Sequence, residues 1–295
     1  MNQSQKVLVA GTGLSGTAAA RLVLDRGGEV VLYDGNASLK EEEIKAKFDK
    51  EAKVSVVLGE IKRSDLLGVE LCIISPGIPL DSPFVAVVDD AKIPILGEIE
   101  LAYQCSLGRL AAITGTNGKT TTNSILYHAL KAEGKSVIIN RTGANMLNGI
   151  ISAFVLSTDR HGQLDADYAC IEVDEIASVG VLPQLKPDCA LLTNISRDQL
   201  DRFGEVDITY NKLKTAVTSV PDTKLIINCD DILSYALAKE SQNPFVTYGI
   251  SEQIFDDISR SEIRESIFCR SCGKKLEYDF FHYGQLGIYH CPNCG

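Results

Sequence analysis

The run Ile113-Thr114-Gly115-Thr116-Asn117-Gly118-Lys119-Thr120-Thr121-Thr122 decides how this chain is read. It follows an apolar, strand-like segment, Leu110 to Ile113, and opens a helix-like one, Thr121 to Glu133. Glycines let a backbone curl until its N–H groups face one anion, and the start of the next helix adds partial positive charge. In such a loop Lys119 reaches the β- and γ-phosphates of ATP, and the Thr120 hydroxyl sits on Mg²⁺. Gly115, Thr116, Asn117, Gly118, Lys119, Thr120 and Thr121 are the expected nucleotide contacts. Only two residues separate Gly115 from Gly118, whereas the general phosphate loop has four between its first glycine and Gly-Lys.

Short apolar runs alternate with helical patterns on both sides of this loop. Before it, Lys6–Gly11, Glu29–Asp34, Lys53–Leu58 and Glu70–Ser75 read as strands, and Ser15–Arg26 as a helix. Beyond it, strands are expected at Leu110–Thr114, Ser136–Asn140, Tyr168–Val173, Cys189–Asn194, Lys224–Asn228 and Phe245–Tyr248, and a helix at Val206–Val220. That alternation predicts an α/β protein with parallel sheets covered on both faces. A boundary is expected near Cys105–Gly108, giving a Rossmann-like domain over 1–105 and an ATP-binding domain over 106–295.

The first domain has its own glycine-rich loop, Gly11-Thr12-Gly13-Leu14-Ser15-Gly16, between a strand and a helix. Asp34 closes the second strand, 18 residues after Gly16. This is the dinucleotide fingerprint, in which the carboxylate meets a ribose or base. Alone it would suggest an NAD-dependent dehydrogenase, but the same loop can hold any pyrophosphate.

Cysteine usage adds a metal. Cys269-x-x-Cys272 and Cys291-x-x-Cys294 lie 18 residues apart, and Gly273 and Gly295 follow the second cysteine of each pair. Each knuckle presents two thiolates, and four thiolates complete the tetrahedral shell of a structural Zn²⁺. A redox dithiol is the alternative. The ribbon is expected over 266–295. Such cysteine usage suits a reducing, cytoplasmic setting. A net charge of −10 argues against nucleic acid. No stretch approaches the roughly 18 apolar residues of a membrane span, and the N-terminus runs into a strand without a signal peptide.

The string Thr114-Gly115-Thr116-Asn117-Gly118-Lys119-Thr120-Thr121 resembles the ATP loop of the Mur ligases, which join peptidoglycan precursors to amino acids. In that family ATP phosphorylates a substrate carboxylate and an amine attacks the acyl phosphate. Residues 6–104 resemble the N-terminal domain of the branch that adds D-glutamate to UDP-N-acetylmuramoyl-L-alanine. Gly11–Gly16, Ser75-Pro76-Gly77-Ile78-Pro79 and Gly97-Glu98-Ile99-Glu100-Leu101 carry that likeness. It implies a sugar-nucleotide site at Gly11, Gly13, Leu14, Ser15 and Gly16, with Leu14 and Ser15 toward the phosphates and Asp34 toward the uracil.

From residue 110 onward the likeness shifts to the amidating branch, the MurT subunits of lipid II isoglutaminyl synthase. It rests on Asn140–Ile150, Ile171-Glu172-Val173-Asp174-Glu175 and Thr193–Gly204. There a glutamine amidotransferase partner (GatD-like) supplies ammonia, and the D-glutamate of lipid II becomes D-isoglutamine. The resemblance makes Glu172 a Mg²⁺ ligand, with Asp174 or Glu175 as substitutes. It places Lys119, Glu172 and Asn194 at the reacting phosphate and Asn145 at the nucleotide. Gln199 stands where the amino-acid-adding ligases have a Mg²⁺-binding His, which favours amidation. Lys214 falls near a carbamylated lysine of the D-glutamate branch, although helix lysines are usually solvated. Both branches have a further C-terminal domain that cannot be read here, so poor turnover by the chain alone is expected. D-glutamate ligation to the UDP-linked muropeptide, and a non-catalytic nucleotide-binding or assembly role, stay open beside amidation.

Overall fold

The structure, a computed structural model, describes residues 5–49, 51–75, 77–98, 100–101, 108–140, 144–157, 166–196, 206–253, 268–283 and 286–295. The chain forms two compact units: Met1–Gly108 with Lys135–Tyr168, and Arg109–Gly134 with Ala169–Gly295.

The first unit is built on β1 (Lys6–Ala10), β2 (Glu29–Asp34), β3 (Val54–Leu58), β4 (Leu71–Ile74) and β5 (Ile95–Gly97), in the order β3-β2-β1-β4-β5. All four pairings are parallel. The central strand β1 is buried on both faces, with Val7 to Ala10 fully inaccessible. That explains its unbroken apolar run, since a parallel sheet is covered on both sides. Helix α1 (Leu14–Asp25) follows β1, a short α2 (Glu41–Lys45) follows β2, and α3 (Pro83–Asp90) precedes β5. Ser82 caps α3 by accepting from the Val85 N–H, and Pro83 stands in its first turn. Phe84 of α3 stacks on Tyr33 with ring centroids 4.3 Å apart.

Six strands form the second sheet: β6 (Arg109–Thr114), β7 (Val137–Ile139), β8 (Tyr168–Glu172), β9 (Cys189–Leu192), β10 (Lys224–Asn228) and β11 (Phe245–Tyr248). Their order is β11-β10-β9-β6-β8-β7. The pairs β6–β9, β9–β10 and β10–β11 are parallel. The helices are α4 (Lys119–Ala132), α5 (Leu147–Leu156), α6 (Ser178–Leu185), α7 (Val206–Thr218) and α8 (Ile232–Ser241). Helix α5 packs on α1 within the first unit. An antiparallel hairpin, β12 (Glu277–Tyr283) and β13 (Leu286–His290), completes the chain.

The expected α/β architecture with parallel sheets is thus observed. A parallel sheet gathers the loops that follow its strands along one edge, where ligands bind in open α/β folds. In the first unit this edge brings together Gly11, Asp34, Ser75 and Glu98; in the second, the Gly115–Gly118 loop, Glu172, Asn194 and Asp231. Among the described residues no helix is long and apolar enough to cross a membrane.

Candidate nucleotide sites

Strand β6 ends at Thr114, and Gly115 turns the chain with φ +114°. A Cβ there would collide with the Thr193 hydroxyl and lie 2.8 Å from the Asn194 carbonyl, so the loop and the end of β9 can approach only at glycine. Hydrogen bonds then stitch the two segments together. The Thr116 N–H donates to the Asn194 carbonyl at 2.8 Å, and the Thr116 hydroxyl donates to the Ser196 carbonyl at 3.0 Å. Asn194 Nδ2 donates to the Asn117 carbonyl at 3.1 Å, while its Oδ1 accepts the Asn117 N–H at 3.3 Å. Asn194 is therefore the brace of the loop.

Lys119 opens α4 and is buried. Its ammonium donates to the Gly115 carbonyl at 2.6 Å, the Thr116 carbonyl at 3.3 Å and Glu175 Oε1 at 2.7 Å. Both members of the Lys119–Glu175 ion pair are about nine-tenths buried. Burial pushes the Glu175 carboxyl up and the Lys119 charge opposes it. Beside this pair the Thr120 hydroxyl donates to Glu172 Oε2 at 2.9 Å, with Glu172 only 2% exposed. The acidic trio thus separates by role. Glu172 meets Thr120 and Glu175 meets Lys119. Asp174 instead turns the chain, its Oδ1 accepting the Ile176 and Ala177 N–H groups. Asn117, Gly118, Thr120 and Thr121 remain exposed along the rim.

Asn145 is half-buried in the first unit, just ahead of α5. Gln199, and residues 141–143 ahead of Asn145, lie outside the described residues. Lys214 sits in an exposed ion pair with Glu240 at 2.7 Å. Asp231, which the sequence reading passed over, is fully buried. It accepts the Ile195 N–H at 2.7 Å and the Ser234 hydroxyl at 2.6 Å, and caps α8 through the Leu233 and Ser234 N–H groups. An Asp directly before an apolar helical run is the signal that could have found it.

In the first unit, Gly16 lies so close to the Gly11 carbonyl that any side chain there would overlap it, so α1 starts tight against the loop. Asp34 is held beneath this loop. The Thr12 hydroxyl donates to Asp34 Oδ2 at 2.6 Å, and the Asn36 N–H donates to Oδ1 at 3.0 Å. Burial raises the Asp34 carboxyl, but these hydrogen bonds and Lys47 outweigh it and keep it below its usual range. A cavity of about 370 Å³ opens beside it, lined by Thr12, Gly13, Asp34, Asn36, Leu39, Lys40, Glu43, Ile44 and Lys47. Gly13 borders this cavity, and Ser15 is half-buried in the first turn of α1. Leu14 begins α1; its side chain lies outside the described set. Glu98, only 3% exposed, follows β5. Neither of its oxygens has a hydrogen-bond partner, although the Ser15 and Ser75 hydroxyls stand near it. Burial pushes its carboxyl up to about 7.

The four sulfurs of Cys269, Cys272, Cys291 and Cys294 lie within 4.8 Å of one another. The separations Cys269–Cys294, Cys272–Cys291 and Cys272–Cys294 are 3.5, 3.4 and 3.7 Å. A disulfide would need about 2.05 Å, whereas the edge of a tetrahedron with 2.3 Å Zn–S bonds is about 3.8 Å. The donor set therefore fits Zn²⁺. The Asn293 and Cys294 N–H groups hold the Cys291 thiol down to about 6, while the neighbouring sulfurs push the Cys294 thiol up, so the four thiols share their protons. Arg270, inside the first knuckle, donates to Asp207 of α7 at 2.7 Å and lies over the Tyr210 ring, 4.8 Å from its centroid. His282 of β12 is buried, its Nε2 3.1 Å from the Ile250 carbonyl.

Two family descriptions match the chain. Residues 113–294 match the Mur ligase middle domain, and residues 5–97 match the Mur ligase MurD-like N-terminal domain. One relative is the lipid II isoglutaminyl synthase (glutamine-hydrolyzing) subunit MurT of Staphylococcus aureus, 40% identical over 183 residues, which are 62% of this chain and 40% of that protein. Another is the UDP-N-acetylmuramoylalanine--D-glutamate ligase of Lachnoclostridium phytofermentans, 32% identical over 231 residues, 75% of this chain and 49% of that one. The chain thus spans about half the length of such relatives or less. A pseudomurein peptide ligase type C from Methanothermus fervidus shares the fold, with a TM-score of 0.57 at 23% identity, over 98% of this chain and 56% of that one. With residues 5–97 and 113–294 matched to successive domains of one family, the chain belongs to the Mur ligase family.

Proposed function

We propose that the protein takes part in ATP-dependent carbon–nitrogen ligation, activating a carboxylate of a peptidoglycan precursor as its acyl phosphate. The reading rests above all on one arrangement: Lys119 against Glu175 and Thr120 against Glu172, around a glycine turn at the strand ends. ATP supplies the phosphoryl group, and Mg²⁺ on Thr120 and Glu172 would neutralise charge on its phosphates. Lys119 spends all three protons on protein acceptors, so it must release one of them to meet a phosphate. Glu175 holds that ammonium in place. Asn194 fixes the loop by taking the Thr116 and Asn117 N–H groups, those of Gly118 to Thr121 at the start of α4 are assigned to the anion, and Asn145 is assigned to the nucleotide. The first unit would hold the diphosphate of the precursor on Gly11–Gly16, with Asp34 at the base where the precursor is UDP-linked.

The expected nucleophile is ammonia. The substrate is the D-glutamate carboxylate of lipid II at the cytoplasmic face of the membrane, and a GatD-like glutamine amidotransferase is the partner. The 40% likeness to a glutamine-hydrolyzing synthase subunit and the Cys₄ cluster support this reading. The MurD-like match over residues 5–97 favours a second one, ligation of D-glutamate to UDP-N-acetylmuramoyl-L-alanine. The chain, supplemented with the remaining C-terminal portion of its relatives, should be assayed with ATP against both pairs: ammonia with lipid II, and D-glutamate with the UDP-linked precursor. Amide product from the first pair alone is expected. Product from D-glutamate alone would replace amidation by ligation, and no nucleotide binding at all would leave an assembly role.

A further inference from the structure

The first glycine-rich loop carries a feature that a pyrophosphate cradle does not need for its shape. Glu98 is 3% exposed and neither carboxyl oxygen has a hydrogen-bond partner. A buried, unpaired carboxylate is costly unless it is neutral or compensated. The polar groups near it are the hydroxyls of Ser15, in the first turn of α1, and Ser75, directly after β4. Both belong to the rim of the loop, and Ser75 lies against Gly11.

Among the described residues no cation is paired with it. The Gly11–Gly16 loop has no ionisable side chain, and β4 contributes only the Cys72 thiol, which burial pushes up to about 12 and so keeps neutral. Glu100 lies two residues further along its own segment. Asp34, at the end of β2, is separated from β5 by β1 and β4. Burial raises the carboxyl, and the Ser15 and Ser75 hydroxyls pull it back.

A neutral carboxyl and a carboxylate do opposite things to those hydroxyls. As –COOH, Glu98 donates to a serine oxygen, which frees the serine proton to point outward to an anion. As –COO⁻, it accepts the serine protons, turns the oxygen lone pairs outward, and places a second negative charge behind the loop. Resting on the reading of Gly11–Gly16 as a diphosphate cradle, we propose that Glu98 is the proton-linked positioning residue of that site. A nucleoside diphosphate seated there takes up one proton from solvent, which ends on the Glu98 carboxyl. No bond other than that O–H is made or broken.

The test is titration of the full chain with UDP by calorimetry, between about pH 7.5 and 9, where UDP has lost its last phosphate proton (second pKa about 6). Paired buffers of different ionisation enthalpy should reveal uptake approaching one proton. Affinity should fall by up to about tenfold per pH unit. Glu98→Gln, a neutral donor of nearly the same shape, should bind UDP with no buffer dependence and a flat pH profile. Gly16→Val should abolish binding at every pH. UDP binding to the wild type without proton uptake, or an unchanged pH profile in Glu98→Gln, would overturn the proton linkage alone. A wild-type chain that does not bind UDP would overturn the diphosphate reading and this inference with it.

Discussion

Lys119 shows how one side chain can serve the fold and the site together. Its ammonium neutralises Glu175 where both are about nine-tenths buried. Lys119→Ala should therefore cost about 3–5 kcal/mol, mostly from the carboxylate left alone. Lys119→Ala/Glu175→Gln should recover most of that stability while nucleotide binding stays lost. Urea unfolding and titration with a fluorescent ATP analogue separate the two effects; recovered binding would remove Lys119 from the site. Glu98 leads to a pH prediction. Its carboxyl is raised in the fold, from 4.5 to about 7. The native state then binds more protons than the unfolded chain between those values. The contribution is fully present below the unfolded pKa and is lost as pH rises through about 7. Glu98→Gln should flatten this loss, gaining at most about 3 kcal/mol on the wild type at pH 8 relative to pH 4. Thermal melts at the two pH values measure it, and equal differences would contradict it.

Among the elements, most strands were legible, whereas β5, the β12–β13 hairpin and several helices were not. β1 and β8 are apolar runs whose central residues are fully buried, so hydrophobicity alone marks them. Helix α6 contains Pro183, which hides it from a periodicity argument, and its start depends on the Asp174 turn rather than a cap at its first residue. The glycine loop was legible through its spacing. The Asn194 and Ser196 brace was not, because the contacts cross 77 or more positions of sequence. The cysteine quartet was legible through its spacing, but its attachment was not: Arg270 meets Asp207 and Tyr210 across the chain. Chelation of the metal should therefore loosen the first knuckle and also expose α7. Hydrogen exchange should show lost protection near residues 206–210, and protection unchanged there would make the ribbon an independent appendage. Arg270→Ala, which removes a half-exposed ion pair and a ring contact, should cost about 1 kcal/mol and leave metal content intact.

At the scale of the molecule, the order of residues and the order of assembly differ. The first unit draws on Met1–Gly108 and again on Lys135–Tyr168, with Arg109–Gly134 given to the second between them. Helix α5, which packs on α1, is one of the returning pieces. A fragment ending at residue 105 would leave that face of α1 uncovered. It should show lower melting cooperativity and greater protease sensitivity than the full chain, and an equally cooperative melt would disprove the dependence. During synthesis, when domains otherwise fold in turn from the N-terminus, the ribosome has to deliver residue 168 before the first unit can close. The strand and glycine loop at 109–118 leave the exit tunnel ahead of that closure, without β8, β9 and β10 to cover them. For that interval the nascent chain carries two unfinished sheets at once, the kind of intermediate for which chaperone capture is most useful.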